Sequence, residues 1–353
     1  MLSTQTHRGR NVSYVPSADL YAIGQCSRPA SRMVLTSHIR ADDRGLQYGD
    51  GLFETLRCVS GQAPFLDWHR QRLSLGCERL GLPQPDLEHL REQLRQAVAG
   101  QQHTLVKLIL TAGSGPRGYA RPSILTPCVL LQVQPLKIGT PADLALRWCE
   151  LKLARQPALA GIKHLNRLEQ VLARNEWNTD EFDEGLMLDS EDQVICATAA
   201  NVFIRTAGQW LTPPVEVCGV AGIGRRWMLE RGAQVRELSV ADVGRAEQCL
   251  LTNAVRGPRA AISLESRRYV PDEEVRALQW EWEQCFTASF GSKASGQGPD
   301  PRGSRASGQG PDPRGSRASG QGPDPRGSKA SGQGPDPRGS RASGQGPDPR
   351  ASS

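Results

Sequence analysis

Lysine is the side chain to begin with, because this chain hardly uses it. The first 290 residues contain four: Lys107, Lys137, Lys152 and Lys163. The last stands in "AGIKHLNRLEQVLAR", flanked by Ile162 and Leu165, just ahead of an amphipathic helical pattern. An amine held among apolar neighbours loses hydration, which lowers its pKa and makes it a better Schiff-base former. A lysine at a helix start that snorkels to water fits the same spacing. Three further features could act with it. "CGVAGIGRRWML" places Gly219, Gly222 and Gly224 ahead of a helical pattern, where open backbone N–H groups can take a phosphate. It lacks the G-K-[ST] of a P-loop, and glycine turns before helices are common. Arg72 could supply a guanidinium fork for the same anion, or be a solvated helix arginine. "GSGPRGY" offers Arg117 on a flexible loop, suited to a carboxylate, although loop arginines are usually just exposed.

These groups need elements to position them. "DWHRQRLSLGCERLGLP" reads as a helix with Leu66, Leu73, Cys77 and Leu80 on one face, Asp67 as N-cap and Gly81 as stop. Asp86 caps a second helix with Leu87, Leu90, Leu94 and Ala97 on its stripe. "RGLQYGDGLFETLR" is a turn leading into a strand, and "TLVKLILTA" and "PCVLLQVQ" are apolar strands. After "KIGTPAD" the pattern restarts with a strand "LALRWCELKL", then the Lys163 segment with Leu165, Leu168, Val171 and Leu172 facing inward. Short strands "EGLMLD", "QVICAT", "NVFIRT" and "QWLTP" follow, then the glycine turn and helix, the strand "QCLLTNA" and the helix "DEEVRALQWEWEQCF". The expected fold class is α+β, with an N-terminal α+β domain over 33–136, a C-terminal one over 137–290 and a cleft between them.

The termini read differently. From Gly291 the unit "GSKASGQGPDPR" occurs five times with only Lys/Arg exchange. Such units have nothing to fill a core, so 291–353 is expected to be a disordered tail. Its ten basic and five acidic residues carry +5 of the formal +6, so the basic balance belongs to the tail. With neither aromatics nor a clustered positive run, the tail argues against a nucleic-acid partner. Residues 1–32 hold four arginines against one acid but no secretory hydrophobic segment, and read as an unstructured extension, a transit peptide being the alternative. Nine cysteines without a C-x-x-C pair suit reduced thiols in the cytoplasm, with no metal site. No apolar run is long enough to span a bilayer.

Taken together, "DRGLQYGDGLFET", "GSGPRGY", "ALAGIKHLNRLEQVLAR", "AANVF" and "GVAGI" resemble the fold-type IV pyridoxal-phosphate enzymes, the class-IV aminotransferase family, over roughly 41–286. The Lys163 segment is most similar to the aminodeoxychorismate lyases of that family. The resemblance implies a two-domain sheet-and-barrel fold, a homodimer and pyridoxal 5'-phosphate as cofactor. It implies Lys163 as the lysine bonded to the cofactor, Arg72, Ile223, Gly224 and Thr252 as its phosphate contacts, and Arg117 and Tyr119 as holders of substrate carboxylates. The expected reaction takes 4-amino-4-deoxychorismate to 4-aminobenzoate and pyruvate in folate synthesis. A fold-type IV amino-acid transaminase and a non-catalytic cofactor-binding protein are the alternatives. The sequence departs from the family pattern twice: Cys196 stands where a glutamate pairs with the cofactor's ring nitrogen, and Ala112 where arginine precedes "GSGPRGY".

Overall fold

Leu52, Glu54, Leu56 and Cys58 alternate with Phe53, Thr55 and Arg57, so a strand here presents the first set to one face and the second to the other. The computed structural model describes residues 34–35 and 38–287, apart from 140–141 and 178–179. The expected extension over 1–32 and the repeat tail over 291–353 lie outside the described residues. The first sheet comprises β1 (Val34–Leu35), β2 (Gly51–Val59), β3 (His103–Thr111) and β4 (Cys128–Pro135), in the order β1-β4-β3-β2. A short helix α1 (Arg44–Tyr48) leads into β2, and α2 (Leu66–Leu80) and α3 (Leu87–Ala97) connect β2 to β3. Leu73 and Cys77 of α2 and Leu90 and Leu94 of α3 pack on Leu52, Leu56, Val106 and Leu108.

Local signals hold at most ends. Gly81 closes α2 in the left-handed region at φ 62°, and the Asp86 carboxylate accepts from the Glu88 and His89 N–H groups to cap α3. Asp67 is not the N-cap of α2. Phe65 takes that place, because its ring stacks between Trp68 and Trp282 and starts the helix earlier. Asp67 sits in the first turn instead, bonded to Arg70.

The second sheet contains β5 (Leu144–Trp148), β6 (Glu184–Leu188), β7 (Val194–Ala197), β8 (Asn201–Thr206), β9 (Gln209–Thr212), β10 (Gln234–Val235), β11 (Gln248–Asn253), β12 (Gly257–Leu264) and β13 (Arg267–Arg268). Its order is β10-β9-β8-β11-β12-β5-β6-β7, and a further pairing of β7 with β8 at Cys196 and Asn201 joins the row into a closed ring. β5 runs parallel to both β6 and β12, the other ring pairings being antiparallel. The helices here are α4 (Leu168–Arg174), α5 (Ile223–Leu229), α6 (Val240–Arg245) and α7 (Glu273–Thr287). Phe203, Leu250 and Ala260 meet Trp227 of α5 and Trp282 and Phe286 of α7. Val202, Ile204, Leu251 and Ala261 join Leu144, Leu146 and Val243 in a separate core.

Two expectations need correction. The strand expected from Leu144 onward stops at Trp148, since the Glu176 carboxylate accepts from the N–H groups of Glu150 and Leu151 and takes them out of the ladder. The stripe expected to face inward after Lys163 does so only at Leu165, which packs beside Gly51. Leu168, Val171 and Leu172 are 67, 50 and 51 % exposed, and of α4 only Ala173 is buried. The helix begins five residues after Lys163 and docks through its small residue, so the apolar stripe marks a surface this chain leaves open.

Candidate active site

Lys163 lies on an extended segment tied to the loop before α5 on one side and to β2 on the other. On one side Gly161 N–H donates to Gly219 O at 3.0 Å, and Ala221 N–H donates to Gly161 O at 2.9 Å. On the other, Phe53 N–H donates to Lys163 O at 2.9 Å and Leu165 N–H to Gly51 O at 3.0 Å. Gly161 sits at φ +78°, which a side chain would strain, so the glycine makes this crossing possible. The amine stands 4.4 Å from the centre of the Phe53 ring. Loss of hydration, reinforced by the Arg72 charge, pulls its pKa down to about 7.

Arg72 projects from the buried side of α2. Its Nε donates to Glu54 Oε1 at 2.8 Å, its Nη2 to Glu54 Oε2, and its Nη1 to Ala221 O at 2.9 Å. Glu54 also meets His69 Nδ1 at 2.6 Å. Burial pushes the Glu54 carboxyl up, but Arg72 and then His69 outweigh it and hold the group down at about 2. His69 goes the other way: its burial outweighs the pull of Glu54 and lowers its pKa. Glu54 thus fixes the guanidinium through two bonds and leaves its remaining N–H groups for the cavity.

Beyond Arg72 the wall passes to the start of α5 and to β11. Within α5 the first N–H bonded back is that of Arg226, to Gly222 O, so the amides of Ile223 and Gly224 are not used by the helix. Thr252 Oγ1 is buried with no partner among the described residues. A Cβ on Gly224 would come within 3.0 Å of Thr252 Cβ, and one on Gly222 within 2.0 Å of Asn201 Oδ1. Open amides, an unmatched hydroxyl and glycines that allow close approach form a cradle suited to a phosphate. Arg72, Lys163, Ile223 and Thr252 line one cavity of about 580 Å³, with Gly224 against Thr252 behind it. That volume is ordinary for a small-molecule site.

Arg117 and Tyr119 are elsewhere. Both are exposed on the loop after β3, Tyr119 by 87 %, its ring edge-on to Tyr48 at 5.5 Å. The loop is nevertheless held firmly. The buried Arg44 donates to Gly118 O at 3.0 Å, Tyr119 O at 2.8 Å and Ala120 O at 3.3 Å, and pairs with Asp50, which also binds Arg121. Within one copy of the chain these two residues do not meet Lys163.

The cavity also holds groups that sequence reasoning passed over. Arg167 and Arg174 line it, as does Cys196, whose role was expected only from the family pattern. Glu54 and His69 were missed behind Arg72. A signal existed: Glu54 occupies an inward position among Leu52, Leu56 and Cys58, and His69 and Arg72 are three apart on one helix face. Among the described residues, no group of His, Cys, Asp and Glu side chains is placed to hold a metal, and no helix is long and apolar enough to cross a membrane.

Comparison with known proteins gives a consistent picture. The family model for amino-transferase class IV matches residues 51–263. The chain is 31% identical over 236 residues to an aminodeoxychorismate lyase of Vibrio harveyi, covering 63% of this chain and 85% of that protein. It is 30% identical over 226 residues to a putative branched-chain-amino-acid aminotransferase of Methanocaldococcus jannaschii, covering 60% and 77%. The crystal structure of 4-amino-4-deoxychorismate lyase from Pseudomonas aeruginosa superposes with a TM-score of 0.65 at 36% identity, covering 73% of this chain and 96% of that one. A shared fold, a matched family model over more than half the chain and a lysine-centred cavity lead to one conclusion: this chain belongs to the class IV aminotransferase family, and its architecture is the α+β fold of the fold-type IV enzymes.

Proposed function

We propose that the chain is a pyridoxal-phosphate-dependent lyase that converts 4-amino-4-deoxychorismate into 4-aminobenzoate and pyruvate, a step of folate synthesis in the cytoplasm. The observation that carries the reading is the single cavity in which a lysine with a pKa near 7 stands between a carboxylate-anchored arginine and an open phosphate cradle. When bound, pyridoxal phosphate supplies an aldehyde to take up the substrate amine and a ring that draws electrons from the bond to be broken. Arg72, Ile223, Gly224 and Thr252 hold its phosphate, and Lys163 anchors its aldehyde carbon. With substrate bound there, Lys163 Nζ would take the proton from the ring carbon that bears the substrate amine and return it to the departing enolpyruvyl carbon, and aromatisation makes the elimination favourable.

The same reading places the site between α+β units over 33–136 and 137–290 and pairs two copies of the chain. The open apolar face of α4 beside the cavity supports the pairing, and so does the anchored loop that presents Arg117 and Tyr119 away from the local Lys163. In a homodimer those two residues are placed to hold the substrate carboxylates of the partner's site. The test is to supply the purified, cofactor-loaded protein with 4-amino-4-deoxychorismate and measure 4-aminobenzoate and pyruvate in equal amounts. Absence of both, with pyridoxamine phosphate accumulating from D-alanine or a branched-chain amino acid, would mark a transaminase instead.

A further inference from the structure

The charges around the cavity bear on how the cofactor's ring would be held, given the reading above. Arg72, Lys163, Arg167 and Arg174 line it, the other polar side chains are hydroxyls, carboxamides and one thiol, and no lining side chain carries a carboxylate. The neighbouring carboxylates are committed elsewhere. Glu54 binds Arg72 and His69, Glu184 accepts from Thr198 and Gly185 N–H, and Glu169 accepts from Ala154 N–H. Arg72 is therefore balanced, and Lys163 gives up its ammonium charge on joining an aldehyde. Arg167 and Arg174 form no hydrogen-bonded carboxylate pair: their bonds run to the backbone carbonyls of His164, Ile162 and Trp177, and Glu169 attracts Arg167 only without a direct bond. Burial lowers the Arg167 pKa to about 10, still a cation at neutral pH, and pushes the Cys196 thiol up to about 12, leaving it neutral.

A pyridine nitrogen is kept protonated by an adjacent carboxylate and deprotonated by an adjacent cation or neutral donor. With the phosphate at Arg72, Ile223, Gly224 and Thr252 and the aldehyde carbon at Lys163, the ring nitrogen, para to that carbon, points away from the lysine. The buried Asn201 side chain donates from Nδ2 to Val220 O. Cys196, at the seam that closes the barrel, lines the cavity together with Arg167, whose charge acts on it. We propose that this cavity holds the ring nitrogen of pyridoxal phosphate unprotonated, with Cys196 and the Arg167 guanidinium facing it. An unprotonated ring draws electrons weakly. The site is thereby restricted to cleavages whose product brings its own stability, such as formation of an aromatic ring, and is poor at exchanging amino groups.

The experiment loads the full-length apoprotein with pyridoxal phosphate carrying nitrogen-15 in the ring and records the nitrogen resonance. Borohydride reduction and peptide mapping first establish attachment at Lys163; if no cofactor attaches there, it is the functional reading that fails. With attachment established, a resonance at the neutral-pyridine position throughout the neutral pH range is the expected result, and a pyridinium resonance overturns the proposal. Cys196→Glu is expected to move the resonance to the pyridinium position and to speed pyridoxamine phosphate formation from D-alanine at least about ten-fold. If the longer side chain prevents folding, Cys196→Asp carries the carboxylate with less bulk and is read in the same way. A folded, cofactor-loaded acidic variant whose nitrogen stays neutral would show that Cys196 does not face the ring nitrogen.

Discussion

At the scale of single residues the site turns on what surrounds a charge. Lys163 sits in a pocket that strips its ammonium of water, so near pH 7 a large share of it is free amine. Attachment of pyridoxal phosphate should therefore accelerate by ~10-fold per pH unit below about 7 and level off above it, since only the unprotonated amine attacks. Stopped-flow absorbance across that range checks the sign; a rise that begins only near pH 10 would place the amine in water. Lys163→Ala should lose covalent cofactor and turnover while keeping its melting temperature, because the side chain borders the cavity and its removal opens no void in a core. Glu54 acts through its neighbour. Glu54→Gln should weaken pyridoxal phosphate binding by about ten-fold through loss of one charge-assisted bond that aims Arg72, yet leave the affinity for pyridoxal, which has no phosphate, unchanged. Equal losses for both ligands would reduce Glu54 to a packing residue. In an Arg72→Met background the Glu54 change should have no further effect. Lys163 was legible because lysine is rare here and its flanks are apolar. Glu54 was harder to see, since its partners come from a helix whose docking face only the fold defines.

At the scale of elements the informative cases are α4 and the strand ends. Periodicity gave the stripe Leu168, Val171 and Leu172 correctly, but a stripe does not say what covers it. Those residues are the larger part of an open apolar face at the cavity's edge. Val171→Asp combined with Leu172→Asp should convert a homodimer into monomers in sedimentation experiments and cut turnover at least about ten-fold, through loss of the partner's loop, with little change in the monomer's secondary structure. A dimer that survives both charges would move the interface elsewhere. β12 went unnoticed because Gly257 and Pro258 look like turn residues and its alanines are weak strand formers, while pairing on both sides makes the strand regardless. β5 stopped short for the opposite reason, a side chain from afar having claimed its amides. Local pattern names an element; distant partners set its ends.

At the scale of the whole molecule, the division into a helix-covered sheet and a barrel-like sheet follows from which strands find antiparallel neighbours nearby. A barrel was legible only through the family resemblance, and no local signal marks the ring closure between β7 and β8, since a single residue pair makes it. Proline aside, the repeats contribute no apolar side chain larger than alanine. Removing 291–353 should leave both turnover and melting temperature unchanged, whereas a fall of several degrees in a thermal scan would show that the core depends on them.

The ring has one more consequence, in time rather than in space. β5 can pair with β6 soon after it is made, but it finds its second parallel partner only when β12 has followed, with Leu144 waiting for Ala261. The helix-covered sheet is complete with β4 and can form early, whereas the wall behind Lys163 cannot exist until almost the entire barrel has left the ribosome. A chain broken off before β12 would keep its lysine and its arginine and have no chamber between them. On the proposed function, cofactor capture is thus a late event in the life of each molecule, and pyridoxal phosphate would meet a finished barrel, never a growing one.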